Sequence, residues 1–179
     1  MNKKEAQLDH LNNKKRKLLL LSDDLRLSSG VGTVSKEFVI GTLHKYDWVQ
    51  IGGAINHPDQ GKVFDMHDSL KKDMGIDGYL KIYPVAGYGN PDLLRQVLEV
   101  EKPDAIMIYT DPRFWGWFFQ MEHELRQKYP VLYYALWDDL PYPMWNAKYY
   151  ESCDTIMSIS KQSYNIHKTI LEASDVEVI

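Results

Sequence analysis

Two stretches of this sequence place side chains where they could do chemistry. The first is Ser28-Ser29-Gly30-Val31-Gly32-Thr33, which follows the acids Asp23 and Asp24. A glycine turn that opens a helix leaves backbone amides bare, and with the helix dipole these can cradle an anion such as a sugar-phosphate. The second runs Asp138-Asp139-Leu140-Pro141-Tyr142-Pro143-Met144-Trp145-Asn146 and continues to Tyr149-Tyr150. Flat rings beside carboxylates and amides suit a sugar, because its CH faces stack on rings while its hydroxyls bind acids. Asp111, in Thr110-Asp111-Pro112, is a further acid that a strand end would present. Each stretch also has a plainer reading: glycines that let a loop turn tightly, and aromatic rings that pack against neighbouring helices.

Several other chemistries find no support. As a G-x-G-x-x-G element the glycine turn has Ser35 in the third place, and the strand that should end in a ribose-binding acid ends in Gly52-Gly53, which argues against dinucleotides. Gly61-Lys62 is followed by Val63, so no Walker A motif exists. Asp23-Asp24 sits where receiver domains carry paired acids, but the next candidate phosphoacceptor, Asp111, comes far downstream behind a long loop. Asp65-Met66-His67-Asp68 gathers three metal-ligand types in a polar segment and reads as a chance cluster, so no metal is expected. No serine lies in a G-x-S-x-G elbow, and Cys153 reads as core packing.

Composition narrows the class further. The chain has 179 residues, about one domain's worth, with 44% apolar and 26% charged residues, as expected of a globular protein with a packed core. A net charge of -4 argues against holding nucleic acid mainly through phosphate neutralisation. One cysteine rules out an internal disulfide and fits a reducing, cytoplasmic setting. Leu18 to Leu21 follow a basic run but are too few for a signal-peptide core, and no run approaches the roughly 20 apolar residues of a membrane span. Residues 1–16 read as a polar, basic lead-in outside the fold, with a tail that touches membrane or nucleic acid as the sharper alternative. Residues 17–179 read as one domain. Twenty-two aromatic residues are the unusual feature of the composition.

The elements that must position these residues alternate along the chain. Strands are expected at 17–23, 47–51, 80–85, 104–110, 131–138, 154–160 and 176–179, and helices at 31–46, 91–102, 113–129, 144–152 and 161–173, with a short one at 69–74 in an otherwise irregular stretch from 56 to 78. Asn90 before Pro91, and Ser160, are N-cap signals. The run Asp104 to Thr110 is almost unbroken apolar sequence, the composition of a strand covered on both faces. Alternation of this kind predicts an α/β fold: an open, doubly wound, mostly parallel, Rossmann-like sheet with helices on both faces. Ligands of such sheets bind outside the carboxyl ends of the strands, where both chemical stretches lie.

Together these residues resemble a family. The strand ending in Ser22-Asp23-Asp24, the Ser29-Gly30-Val31-Gly32 turn, Lys102-Pro103-Asp104 before an apolar strand, and the segment from Tyr150 to Lys161 (YESCDTIMSISK) are similar to the N-terminal domain of GT-B glycosyltransferases of the retaining family 4 type, over roughly residues 17–179. The resemblance implies transfer of a sugar from a nucleotide-sugar donor, as co-substrate, to an acceptor hydroxyl, with no metal and no cofactor. It implies that Ser29, Gly30, Val31 and Gly32 face the donor phosphates, and that Asp111, Asp138, Asp139, Tyr142 and Trp145 line the acceptor side. It also implies a C-terminal donor-binding domain, in this or another chain, that residues 1–179 do not contain, so activity of these residues alone is not expected. Trp115, Trp117 and the last strand are where surface left open by that missing half is expected. The competing hypothesis is a non-catalytic α/β ligand-binding or interaction domain.

Overall fold

A computed structural model describes residues 14–54 and 59–179. Its strands obey the two-residue side-chain period, and this divides the apolar residues between two clusters. Leu19 and Leu21, Val49 and Ile51, and Ile106 and Ile108 join one cluster, whereas Leu20, Trp48, Met107 and Tyr109 join the other. A run such as Leu18 to Leu21 therefore serves both faces of one strand, which explains why these strands read as continuous apolar sequence rather than as alternation.

The order of elements is β1 (Arg16–Asp23), α1 (Gly30–Thr42), β2 (Tyr46–Gly53), β3 (Phe64–Asp65), α2 (His67–Met74), β4 (Leu80–Pro84), α3 (Pro91–Glu101) and β5 (Ala105–Tyr109). There follow a 3-10 turn (Pro112–Trp115), α4 (Gly116–Phe119), α5 (Glu122–Leu125), β6 (Val131–Ala135), a second 3-10 turn (Met144–Asn146), α6 (Ala147–Glu151), β7 (Thr155–Ser158), α7 (Lys161–Ile170) and β8 (Glu177–Val178). The eight strands form one sheet in the order β3-β4-β2-β1-β5-β6-β7-β8. Every pairing is parallel except that of β3 with β4. Val39 of α1 and Leu70 of α2 pack into the cluster of Leu20, while Leu94, Val97 and Leu98 of α3 and Ile166 and Ile170 of α7 pack into that of Leu19. The fold is therefore an α/β sheet of Rossmann-like kind.

Local signals set the helix ends. The Asn90 side chain accepts from the Leu93 amide at 3.0 Å, with Pro91 at the first helical position, and Ser160 Oγ accepts from the Ser163 amide at 3.1 Å. Lys102 closes α3 in the left-handed region, with φ of 48°, before Pro103.

Five expectations need correction. The helix expected over 113–129 is three short pieces, because Trp115 (φ -107°, ψ 24°) and Met121 (φ -93°, ψ 3°) leave helical geometry. That break turns Trp115 inward, and it is 0% exposed, not part of an open surface. Trp117 is half-buried against the same core, and the indole nitrogens of both lack a partner. The segment 144–152 is likewise a 3-10 turn followed by α6. The last strand is shorter than expected, but it lies at the sheet edge and pairs with β7. Finally, the lead-in does not extend to residue 16: Arg16 opens β1 and pairs with Asp104 at 3.3 Å, and Lys15 Nζ donates to the Leu43 carbonyl at 2.8 Å. Residues 1–13 lie outside the described residues.

At the amino end of the sheet, Glu101 closes α3 and is 4% exposed. Its carboxylate accepts from the Tyr79 and Tyr83 hydroxyls, both at 2.7 Å, and from Lys17 Nζ at 3.1 Å. Burial alone would push this carboxyl up, but the tyrosine and lysine hydrogen bonds outweigh it and hold Glu101 below the ordinary 4.5.

Candidate functional site

Strand β1 lies between β2 and β5, so the chain reverses its direction of travel across the sheet at the β1–β5 boundary. Loops at the carboxyl ends of strands splay apart at such a point and leave a crevice. Here Ser29 caps α1: its Oγ accepts from the Gly32 amide at 2.9 Å and donates to Asp23 Oδ2 at 2.7 Å. Gly32 is required by space, since a Cβ there would sit 2.8 Å from the Leu27 carbonyl oxygen and 3.0 Å from that of Asp24. Gly30 faces open space, and Val31 is half-buried in the Leu20 cluster.

The two acids that precede the turn have different fates. Asp24 is fully buried and gripped by Arg26, whose Nε and terminal nitrogen donate at 3.0 and 2.8 Å. Asp23 takes the Tyr88 hydroxyl at 3.2 Å as well as Ser29. Burial, then the Asp23 charge, push the Tyr88 phenol up to about 12, so it stays a neutral donor. Tyr88 also stacks on Phe114 with centroids 4.7 Å apart, which ties the end of β1 to the loop after β5. Beneath, Gln50 is buried and donates to Ser22 Oγ and the Asp23 carbonyl, both at 2.7 Å.

One strand further along, the loops after β5 and β6 enclose a cavity of about 260 Å³. Its wall includes Thr110, Asp111, Trp137, Asp138, Asp139, Asn146 and Tyr150. Asp111 is engaged: it caps the 3-10 turn, and both of its oxygens accept from the Arg113 guanidinium. The Arg113 hydrogen bond prevails over burial and holds its carboxyl below the ordinary range. Asp138 and Asp139 are exposed at the rim. Asn146 is 1% exposed, its amide nitrogen donates to the Tyr150 hydroxyl at 3.4 Å, and its amide oxygen has no partner. Buried polar atoms rarely go unpaired, a state this oxygen shares with Ser35 Oγ, the Trp115 and Trp117 indole nitrogens and His167 Nε2. Behind the wall, the Tyr150 ring meets the fully buried His167 edge-on at 5.2 Å, and burial pushes that imidazole down to about 4.

The structure thus brings Asp111, Asp138 and Asp139 to one cavity. Trp145, 52% exposed, stands edge-to-face with Trp137 at 5.5 Å, at the cavity's rim rather than in its wall. Tyr142, 43% exposed on the loop after β6, is not part of the wall. Ser29 to Gly32 lie at the neighbouring crevice, reached through Tyr88 and Phe114. Sequence reasoning named Asn146 and Tyr150 within an aromatic stretch without singling them out, and it passed over Trp137 and Tyr88. Only the lone amide among the rings at 142–150 signalled Asn146. Asp65, His67 and Asp68 form no metal site, and among the described residues no group of three or more His, Cys, Asp or Glu could hold a metal ion. No helix among the described residues is long and apolar enough to cross a membrane.

Comparison with protein-family models and with curated proteins finds no match to this chain.

Proposed function

We propose that residues 17–179 form the acceptor-binding half of a retaining, metal-independent glycosyltransferase of GT-B kind, doubly wound, cytoplasmic, and completed by a nucleotide-binding half in the same or another chain. The acceptor hydroxyl attacks the anomeric carbon of a nucleotide-sugar as that carbon's bond to the nucleoside diphosphate breaks, and the hydroxyl proton leaves with the departing phosphate. The observation that carries this reading is the β5–β6 cavity, where carboxylates, an unpartnered buried amide oxygen and two indoles converge. Its volume suits a single sugar ring rather than a larger ligand. A roomier groove of about 460 Å³ along β4 and α3 has Gln60, Lys62, Asn90 and Gln96 beside apolar residues such as Leu93 and Val100 in its wall, but no carboxylate and no indole among the described residues. In this reading the amides of Gly30 and Val31, left over once Ser29 has taken that of Gly32, meet the donor phosphates. Asp23 and Tyr88 hold the turn in place.

The test uses Trp137 and Trp145 as reporters. Methyl glucoside, methyl galactoside and methyl mannoside are titrated against intrinsic fluorescence, with saturation-transfer NMR as a second readout. Saturable binding of at least one, lost in Asn146→Ala, supports the reading. A folded protein that binds none of the three rejects it. Binding without transfer, after a nucleotide half and a nucleotide-sugar are supplied, favours the non-catalytic domain instead.

A further inference from the structure

The β5–β6 cavity has a one-sided chemistry. Asp111, Asp138 and Asp139 are the charged side chains of its wall, and no Lys, Arg or His lines it among the described residues. Arg113 satisfies Asp111 from outside the wall, while neither Asp138 nor Asp139 has a cationic partner among the described residues. Asp139 takes only the neighbouring Leu140 amide, at 2.7 Å, and Gln162 reaches the Asp138 backbone carbonyl rather than its carboxylate.

Three hydrogen-bond donors in the same wall are spent on the protein itself. The Trp137 indole N–H donates to the Asp139 carbonyl at 2.7 Å, the Tyr133 hydroxyl to the Thr110 carbonyl, and the Asn146 amide nitrogen to Tyr150. What remains open is the Tyr150 hydroxyl proton and, on the acceptor side, two carboxylates and the buried Asn146 oxygen. Trp137 and Trp145 add indole faces, which attract cations. A matching ligand brings donors and positive charge together. An ammonium group does both, with three N–H donors and a full charge, whereas a phosphate or carboxylate on the ligand would face Asp138 and Asp139.

We propose that this cavity selects an amino sugar, whose ammonium group is held by Asp138 and Asp139 while the sugar ring engages the Asn146 amide oxygen. This rests on the reading of the cavity as a sugar-acceptor site and narrows it to a class of acceptor. Phosphorylated and uronic acid acceptors are disfavoured by the same carboxylates.

The experiment titrates the protein with D-glucosamine, N-acetyl-D-glucosamine, D-glucose and D-glucuronate, following tryptophan fluorescence and calorimetry. Glucosamine is expected to bind about tenfold tighter than glucose, with glucuronate the weakest, and N-acetylation is expected to abolish the advantage. The preference should fall with added salt and disappear as pH rises through the titration of the ligand amine. In Asp138→Asn combined with Asp139→Asn, the preference for glucosamine over glucose should fall from about tenfold to within about twofold. Glucose or glucuronate binding as tightly as glucosamine to the unaltered protein overturns the proposal but leaves the sugar site standing. Absence of binding by all four overturns both.

Discussion

The two ends of the sheet use the same kinds of side chain to opposite effect. At the amino end, Glu101 is buried among Tyr79, Tyr83 and Lys17, and its oxygens accept from all three. At the carboxyl end, Asp138 and Asp139 stand at a cavity with Tyr150 and Trp137, and the buried Asn146 oxygen in the wall is bonded to nothing. Leu140, Tyr142, Met144 and Trp145 are exposed beside it, a concentration of large apolar side chains that folding alone does not require. Closed polar networks add rigidity, whereas a buried acceptor without a donor costs stability. The difference separates a structural cluster from a candidate site better than residue type does.

The contrast can be broken most forcefully at the closed end. Glu101→Ala removes a buried acceptor shared by three half-buried donors and should cost about 3 kcal/mol in chemical denaturation, without changing sugar affinity. A loss under about 1 kcal/mol would show that the network is decorative. Because Glu101 titrates below its ordinary value in the folded protein, its contribution is present above that value and is lost as pH falls through the lower folded one.

His167 gives the next effect. Its folded value near 4 lies below the ordinary 6.5, so between these the unfolded chain binds a proton that the folded protein refuses. Stability should therefore fall by up to about 3 kcal/mol as pH drops from 6.5 to 4. His167→Gln should flatten that slope, and urea midpoints measured at half-unit intervals would reveal whether it does.

At the open end the expected changes in stability are small and those in binding large. Asn146→Leu removes the unpaired oxygen, so stability should stay level or rise by roughly 0.5–1 kcal/mol while sugar binding disappears. A marked loss of stability would mean that the amide is structural. Asp138→Asn should be smallest of all, within about 0.5 kcal/mol in thermal melts, since the residue is exposed and has no ion pair to lose.

How far the sequence reached depends on the range of the forces involved. The strands at 105–109 and 131–135 were legible because buried parallel strands are continuous apolar runs between breakers. The starts of α3 and α7 were legible because the Asn90 and Ser160 side chains cap them by accepting from backbone amides three residues on. The helix expected over 113–129 was not, although Phe118, Met121 and Leu125 do bury as one stripe. Spacing alone gives no sign of the breaks at Trp115 and Met121, whose side chains lie buried in the core. Of the site residues, the acids at strand ends were found from position alone. Which acid is tied down, as Asp111 is by Arg113, and which is open, as Asp138 is, depends on side-chain geometry.

The sequence by itself determined the α/β alternation, the strands that fill the sheet centre and the end of the sheet at which chemistry belongs, since periodicity, caps and breakers act over a few residues. Tertiary structure alone decided that Trp115 turns inward, that Tyr88 joins the β1 end to the β5 loop, and that Asn146 is buried with its oxygen unanswered in a cavity wall. Those outcomes depend on which groups meet after the chain has crossed the sheet, and the partner that satisfies or leaves open a polar atom is set by three-dimensional packing.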